Sequence, residues 1–263
     1  KVFLHKLGKN KSTIIALISS LLLTLIPSLL PRTIAGIPEK ESAAFLFLFL
    51  ALYFFLSAWL SKTRKTGVIF AILSGVATAG MALIWGGSGY IFLILSFTVL
   101  VAFLLGKTNK KEVIFYAIWL VTSFGLMTPF SVRHSLKNLV SGLNTGSCVF
   151  VLAIMVLHLI IMNTKLKKYY KTKIGSKIPA EINTLIIGVI LTIILSSAIF
   201  GLSFVPGKVS EISQNLIKPA QSRLINTVAE NRQPYFSEWA NSFGPTINGF
   251  PVLFWMFFVG SIY

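Results

Sequence analysis

Seven runs of about 17 to 22 almost wholly apolar residues recur along this chain, separated by short charged stretches. As a helix, a run of that length matches the hydrocarbon thickness of a bilayer. An open strand edge cannot sit in lipid, because its unpaired N–H and C=O groups find no water, so the runs are read as helices. They fall near residues 13–31, 43–60, 67–85, 89–105, 113–130, 146–162 and 184–205, with an eighth beginning near 249. Composition agrees, since 55% of the 263 residues are hydrophobic and 22 are Phe, which leaves too little polar surface to solvate a globule. The expected fold is all-α, a polytopic transmembrane helix bundle of about eight spans.

The last run, GFPVLFWMFFVGSIY, stops at Tyr263 after 15 residues, and the chain opens on Lys1 rather than Met. A span needs about 20 residues, so the chain is expected to be a piece of a longer protein, with sequence missing at both ends. The opening KVFLHKLGKNK leads into a full-length span with no small-residue cleavage site. It reads as a cytoplasmic flank rather than a signal peptide, with the first complete span as the insertion signal.

A net charge of +17 suggests nucleic acid until the cations are placed. Alternating the loops from a cytoplasmic N-terminus puts 16 of the 24 Lys and Arg on one side, in residues 1–12, 62–65, 107–111 and 165–177. That asymmetry is the positive-inside rule, so the basic excess reports topology and contact with anionic lipid. No basic stripe is interleaved with exposed aromatics, so nucleic acid is not an expected partner. Glu39, Trp85, Arg133 and Glu230 are assigned to the outer side, and Lys65, Lys110 and Lys168 to the inner.

The acids run the other way. Five of the seven, Glu39, Glu41, Glu211, Glu230 and Glu238, fall on the outer side, Glu112 and Glu181 on the inner, and the chain has no Asp. The single Cys148 lies in an apolar run and reads as a small core residue. His158, inside a span, has no acidic partner on a neighbouring turn, which favours an interhelical hydrogen bond over a relay or a ligand. There is no His/Cys metal spacing, Walker loop or nucleophile elbow.

Two outer loops carry patterns of their own. In SVRHSLKNLVSGLNTG, residues Val132, Leu136, Leu139, Val140 and Leu143 follow helical spacing, so an amphipathic helix lying flat on the membrane is expected over 131–146. Residues 206–248 form the longest loop, opened by Pro206-Gly207 and interrupted by Pro219, Pro234 and Pro245. Within it Val209, Ile212, Leu216 and Ile217 recur at helical spacing, predicting an ordered first half to about Arg223 and a mobile second half with few large apolar residues.

The stretch RTIAGIPEKESAAF sets Glu39 and Glu41 at the mouth of a span. The simple account is that acids in the first helical turn, here near Pro38, are favoured by the positive helix end. The alternative is a divalent-cation site, since hard ions such as Mg2+ or Mn2+ want several carboxylate oxygens. Residues i and i+2 of a helix point about 200° apart, whereas in extended chain they share a face. Both glutamates can thus reach one ion only if Glu39 lies before or at the helix start.

RTIAGIPEKESAAF resembles the R-S-x-A-G-x-x-D-x-E/D stretch of the catalytic subunit of oligosaccharyltransferases, the family of archaeal AglB and bacterial PglB. IWGGSGYIF resembles the family's W-G-G-Y at an outer helix end, and NTVAENRQP resembles its T/S-V/I-x-E loop motif with a following Q-P. The three occur in the family's order, and the similarity runs along essentially the whole chain.

The resemblance implies a membrane domain of the GT-C glycosyltransferase type, and transfer of a glycan from a polyprenyl or dolichyl phosphate or diphosphate carrier to Asn of N-x-S/T sequons. The transfer inverts the anomeric carbon at the outer face and depends on Mn2+ or Mg2+. It further implies that Glu39 is a metal ligand, that Glu41 lies close to metal and acceptor, and that Glu230 reaches the metal when its loop orders, with Thr227 and Val228 completing that motif. Trp85, Gly86 and Gly87 match without an implied step, and close helix packing is the expected role. The chain departs from the family in having Glu39 where Asp is usual and one extra residue between Glu230 and Gln233-Pro234. It also lacks the first acidic loop, the carrier-contacting Arg and the W-W-D-Y-G motif, so this stretch alone is expected to be inactive. Two other readings share some of these features: another polyprenyl-phosphate-sugar glycosyltransferase, which needs no Thr227-to-Glu230 motif, and a transporter. Against the transporter, no span carries a mid-depth acid or a repeated Gly/Pro break.

Overall fold

The computed structural model describes residues 4–25, 40–130, 134–164, 179–217, 235–244, 246–248 and 250–262. Apart from one isolated β-bridge between Ile247 and Phe250, the regular structure among them is helical. In chain order the α-helices are α1 (Leu4–Leu25), α2 (Lys40–Trp59), α3 (Arg64–Ile84), α4 (Gly89–Leu104), α5 (Lys110–Met127), α6 (Leu136–Ser141), α7 (Leu143–Asn163), α8 (Ala180–Phe200), α9 (Phe204–Ile217), α10 (Phe236–Asn241) and α11 (Val252–Ile262). Short 3-10 turns, Gly86–Ser88 and Thr128–Phe130, precede α4 and follow α5.

Six of these segments are long and apolar enough to cross a membrane, namely α2, α3, α4 with its leading turn, α5 with its trailing turn, α7 and α8. They coincide with the expected spans from 43–60 to 184–205. The chain is therefore a multi-pass membrane protein with an all-α bundle. Most helices start about three residues before the apolar run, because polar first-turn residues belong to the helix but not to the hydropathy signal. At α5, for example, Asn109 and Glu112 form a capping box, with Glu112 Oε2 accepting from the Asn109 N–H at 2.9 Å. At the other extreme, α8 stops at Phe200, five residues short of the expected 205, because Gly201 takes φ +94° and ends the helix.

The chain divides into two compact units, one holding α2 to α8 and the other α1 and α9 to α11. In the first, α3 lies against both α2 and α5, and α4 lies against α7. Lipid tails are as apolar as leucine, so close backbone approach and interhelical hydrogen bonds must hold such a bundle together. The sequence of α3 supplies both. A Cβ on Gly67 would collide with the Phe115 ring, and one on Gly75 with Thr122 and the Trp119 carbonyl, so glycine lets α3 and α5 touch. Ser74 Oγ donates to the Ala51 carbonyl at 2.9 Å across to α2, and Trp119 Nε1 donates to Thr78 Oγ1 at 2.9 Å across from α5. Trp119, fully buried, packs against Phe55, Phe92 and Tyr116.

On the far side of the core, Cys148 of α7 donates to the Phe92 carbonyl of α4 at 3.2 Å, and the Ser96 and Ser147 hydroxyls meet at 3.0 Å. Cys148 is thus the buried core residue expected. His158 Nδ1 meets Thr184 Oγ1 of α8 at 3.1 Å, the interhelical bond favoured over a relay.

Gly75→Leu is expected to lower stability by about 1–3 kcal/mol through overpacking against α5, seen as an earlier thermal transition in detergent. Gly125→Leu, with open space at its Cβ position, should change it little. Equal effects would mean that the α3–α5 approach is not the constraint.

Candidate functional site

The first end of α2, where the chain enters it, is also where α3 finishes and α4 begins. Trp85 closes α3 in an extended conformation, its N–H bonding the Met81 carbonyl at 2.9 Å, and the chain then turns through Gly86–Ser88 into α4. The Trp85 indole folds over that turn, and a Cβ on Gly87 would lie 2.4 Å from the ring. Gly87 thus makes room for the Trp85 ring within the turn itself, a local contact rather than the close helix packing expected for the W-G-G residues. Trp85 also meets Phe45 of α2, ring centroids 6.0 Å apart. Phe45 is one turn beyond Glu41, and residues i and i+4 share a helical face, so the aromatic motif and the acidic motif come to the same end of the bundle.

A cavity of about 300 Å³ opens there, lined by Lys40, Ala82, Leu83, Ile84, Trp85, Gly86, Ser88, Phe130 and His134. Lys40 stands between the two glutamates in sequence, Phe130 ends the turn after α5, and His134 follows in the next loop. The lining combines an ammonium and an imidazole with two aromatic walls, a set suited to an anionic group carried on an apolar or ring-shaped body. Neither Lys40 nor His134 stands out in the sequence as a site residue. The available signals were Lys40's place between two acids and His134's place just beyond a span.

Glu41 occupies the first turn of α2, half-buried and on the same face as Phe45, and is not among the residues lining the cavity. Glu39, Thr227, Val228 and Glu230 lie outside the described residues. Among the described residues no three or more His, Cys, Asp or Glu side chains cluster in a way that could hold a metal. What Glu41 contributes is one carboxylate of the hard-oxygen type that Mg2+ or Mn2+ takes, which fits the implied ion chemically. Helix starts attract acids throughout this chain, however: Glu112, Glu181 and Glu238 also sit in first turns, and Glu238 Oε2 accepts from the Tyr235 N–H at 3.1 Å. Position alone therefore does not distinguish Glu41.

Two loop expectations need correction. The segment after α5 is not one amphipathic helix over 131–146. Its described part is the six-residue α6, which starts at Ser135 with Ser135 Oγ accepting from the Asn138 N–H, and stops at Gly142, whose N–H bonds the Asn138 carbonyl at 2.8 Å. Gly142 is extended there, and α7 begins at Leu143, so Leu143 belongs to the next span, while Thr145 donates back to the Leu139 carbonyl. Leu139 is buried, whereas Leu136 and Val140 are exposed.

In residues 206–248, the helical spacing of Val209 and Ile212 is realised in α9, which runs to Ile217; the rest of the expected anchor, to Arg223, lies outside the described residues. Pro206 does not open a loop but sits in the first turn of α9, where its missing N–H costs nothing. Of the second half only residues 235–244 and 246–248 are described, and there Phe236 and Phe243 pack edge-on against Phe254, at 5.7 and 5.5 Å; the stretch with Thr227, Val228 and Glu230, on which the expected mobility turns, lies outside the described residues. The count of large apolar residues missed this because the partner ring belongs to α11, beyond the loop.

Against protein-family models, residues 2–228 match Oligosaccharyl transferase STT3, N-terminal. Comparisons with curated proteins and with solved structures return no match.

Proposed function

Since this chain belongs to the oligosaccharyl transferase STT3 N-terminal family, we propose that it forms the membrane part of an enzyme that moves a glycan from a polyprenyl or dolichyl phosphate or diphosphate carrier to Asn in N-x-S/T sequons, inverting the anomeric carbon. The family places it among oligosaccharyltransferases in general, with a lipid-linked glycan donor and a peptide acceptor. The observation that carries the finer reading is the shared location of the acidic motif and the W-G-G turn. Phe45 rests on Trp85 one turn below Glu41, beside a cavity whose Lys40 and His134 suit a phosphate-bearing donor.

In this reading Glu41 approaches the acceptor amide, Glu39 is a metal ligand, and Glu230, with Thr227 and Val228, comes in on the loop after α9. An amide nitrogen is a poor nucleophile because its lone pair is delocalised, and carboxylates accepting from its N–H groups hold it out of conjugation. A divalent ion such as Mn2+ or Mg2+, when bound, stabilises the phosphate that departs. The carboxylate end of the bundle faces outward from the cell membrane, following the distribution of Lys and Arg among the loops. The match ends at Val228, two residues before Glu230, so the loop glutamate rests on the NTVAENRQP motif alone.

The test is transfer from a lipid-linked glycan to a sequon peptide in membranes containing the full-length protein. Transfer abolished by EDTA and restored by Mn2+ or Mg2+ is expected. Metal-independent transfer would remove the ion from the reading, and transfer of sugar to a lipid but never to peptide would favour the related polyprenyl-linked glycosyltransferase.

A further inference from the structure

The opposite end of the same helical unit, where α2 and α4 finish and α3 and α5 begin, has a different chemistry. The α2–α3 connection with the start of α3 carries Lys62, Arg64 and Lys65, and the α4–α5 connection with the start of α5 carries Lys107, Lys110 and Lys111. Chain order alone would leave these as two separate loops. Lys111 joins them: its Nζ donates to the Ser61 carbonyl, stands 5.7 Å over the Phe115 ring, and pairs with Glu112 at 3.7 Å. Gly67 strengthens the join, because the place a Cβ would take is filled by Phe115 and the Ser61 hydroxyl.

One cation is thus spent on structure, and the other five are exposed. The acids at this end are committed or few. Glu112 is buried and accepts from the Asn109 N–H, and Glu181 of α8 stands by Gly106. The first-turn N–H groups are served by protein, with Thr63 Oγ1 accepting from the Thr66 N–H at the start of α3. The local field is therefore one of side-chain cations.

We propose that Lys62, Arg64, Lys65, Lys107 and Lys110 form a composite site for the headgroups of anionic phospholipids, fixed in place by the Lys111 tether between the two connections. Charge complementarity and position select this occupant: the cations lie where four helices long and apolar enough to cross a membrane end or begin, the level at which lipid phosphates are expected. Trp59, at the last turn of α2 and stacked on Phe55 at 6.0 Å, marks the same interfacial level. Five exposed cations also respond to ionic strength, since exposed charges are screened within about 3 Å at 1 M salt. The proposal does not depend on the transferase reading.

Trp59 supplies the probe. The full chain is reconstituted in vesicles containing phosphatidylcholine or phosphatidylglycerol brominated near the headgroup, and the Trp59 signal is taken as the difference from Trp59→Phe. Quenching should show a preference for the anionic lipid of about fivefold for each cation engaged. It should fall by about 10²-fold in a Lys62→Gln, Lys65→Gln, Lys107→Gln triple variant that keeps its helical circular dichroism, which leaves Arg64 and Lys110 in place, and to near parity in the unmodified protein at 1 M salt. Equal quenching by the two lipids, or a preference unchanged by both the triple variant and salt, overturns the proposal. So does inorganic phosphate that displaces the lipid more effectively than chloride at equal ionic strength, because the site would then serve a free anion.

Discussion

Replacing Glu39 or Glu41 with glutamine in the full-length protein is expected to cut glycan transfer by about 10²-fold or more, the scale seen when one preorganised electrostatic contact to a transition state is removed. Membrane insertion and the amount of folded protein should not change. Glutamine keeps the size of the side chain and removes only charge, and Glu41 is at a helix start, half-buried, where a neutral amide is tolerated. The helix-start account predicts a different result: losing one first-turn acid costs about 0.3–1 kcal/mol of stability and no turnover. Transfer assays on matched amounts of folded protein separate the two, and wild-type turnover by Glu41→Gln would return that residue to helix capping. Glu39→Asp restores the shorter side chain usual in the family. If its activity exceeds wild type, the extra methylene of Glu39 is a burden at the site.

The second large effect is on stability. Trp119→Ala is expected to cost about 3–5 kcal/mol, the range for emptying a large aromatic from a packed core, and to lower the thermal midpoint in detergent accordingly. Trp119 is buried completely, touches the rings of Phe55, Phe92 and Tyr116 from three helices, and donates to Thr78. The hydrogen bond can be weighed separately: Thr78→Val keeps the volume but orphans the indole N–H, at about 1–3 kcal/mol. A Trp119→Ala protein as stable as the parent would mean that these contacts are made in the unfolded-in-membrane chain as well.

The family reading was legible because its motifs are local. RTIAGIPEKESAAF, IWGGSGYIF and NTVAENRQP are each contiguous, and the family match over residues 2–228 spans the first two whole and the third only as far as Val228. The cavity was not, because its lining comes from the start of α2, the end of α3 and the loop after α5, residues 40 to 134 in the chain. Likewise α10 could not be foreseen from the composition of 206–248, since Phe236 and Phe243 find their partner ring, Phe254, in the following helix.

By itself the sequence determined that this is a helical membrane protein and where six of its eight expected spans lie, because lipid offers backbone groups no partner and so makes apolar length alone decisive. It also determined that Cys148 and His158 serve packing and an interhelical bond, since neither has chemical partners near it in the chain. Only the tertiary structure decided which faces of those spans meet, because nearly every residue of a span is apolar and hydrophobicity cannot rank one face above another. Gly67 and Gly75 against α5, Gly87 beneath Trp85, and Lys111 reaching Ser61 made that choice, through the few places where a backbone comes close or a polar group finds a partner.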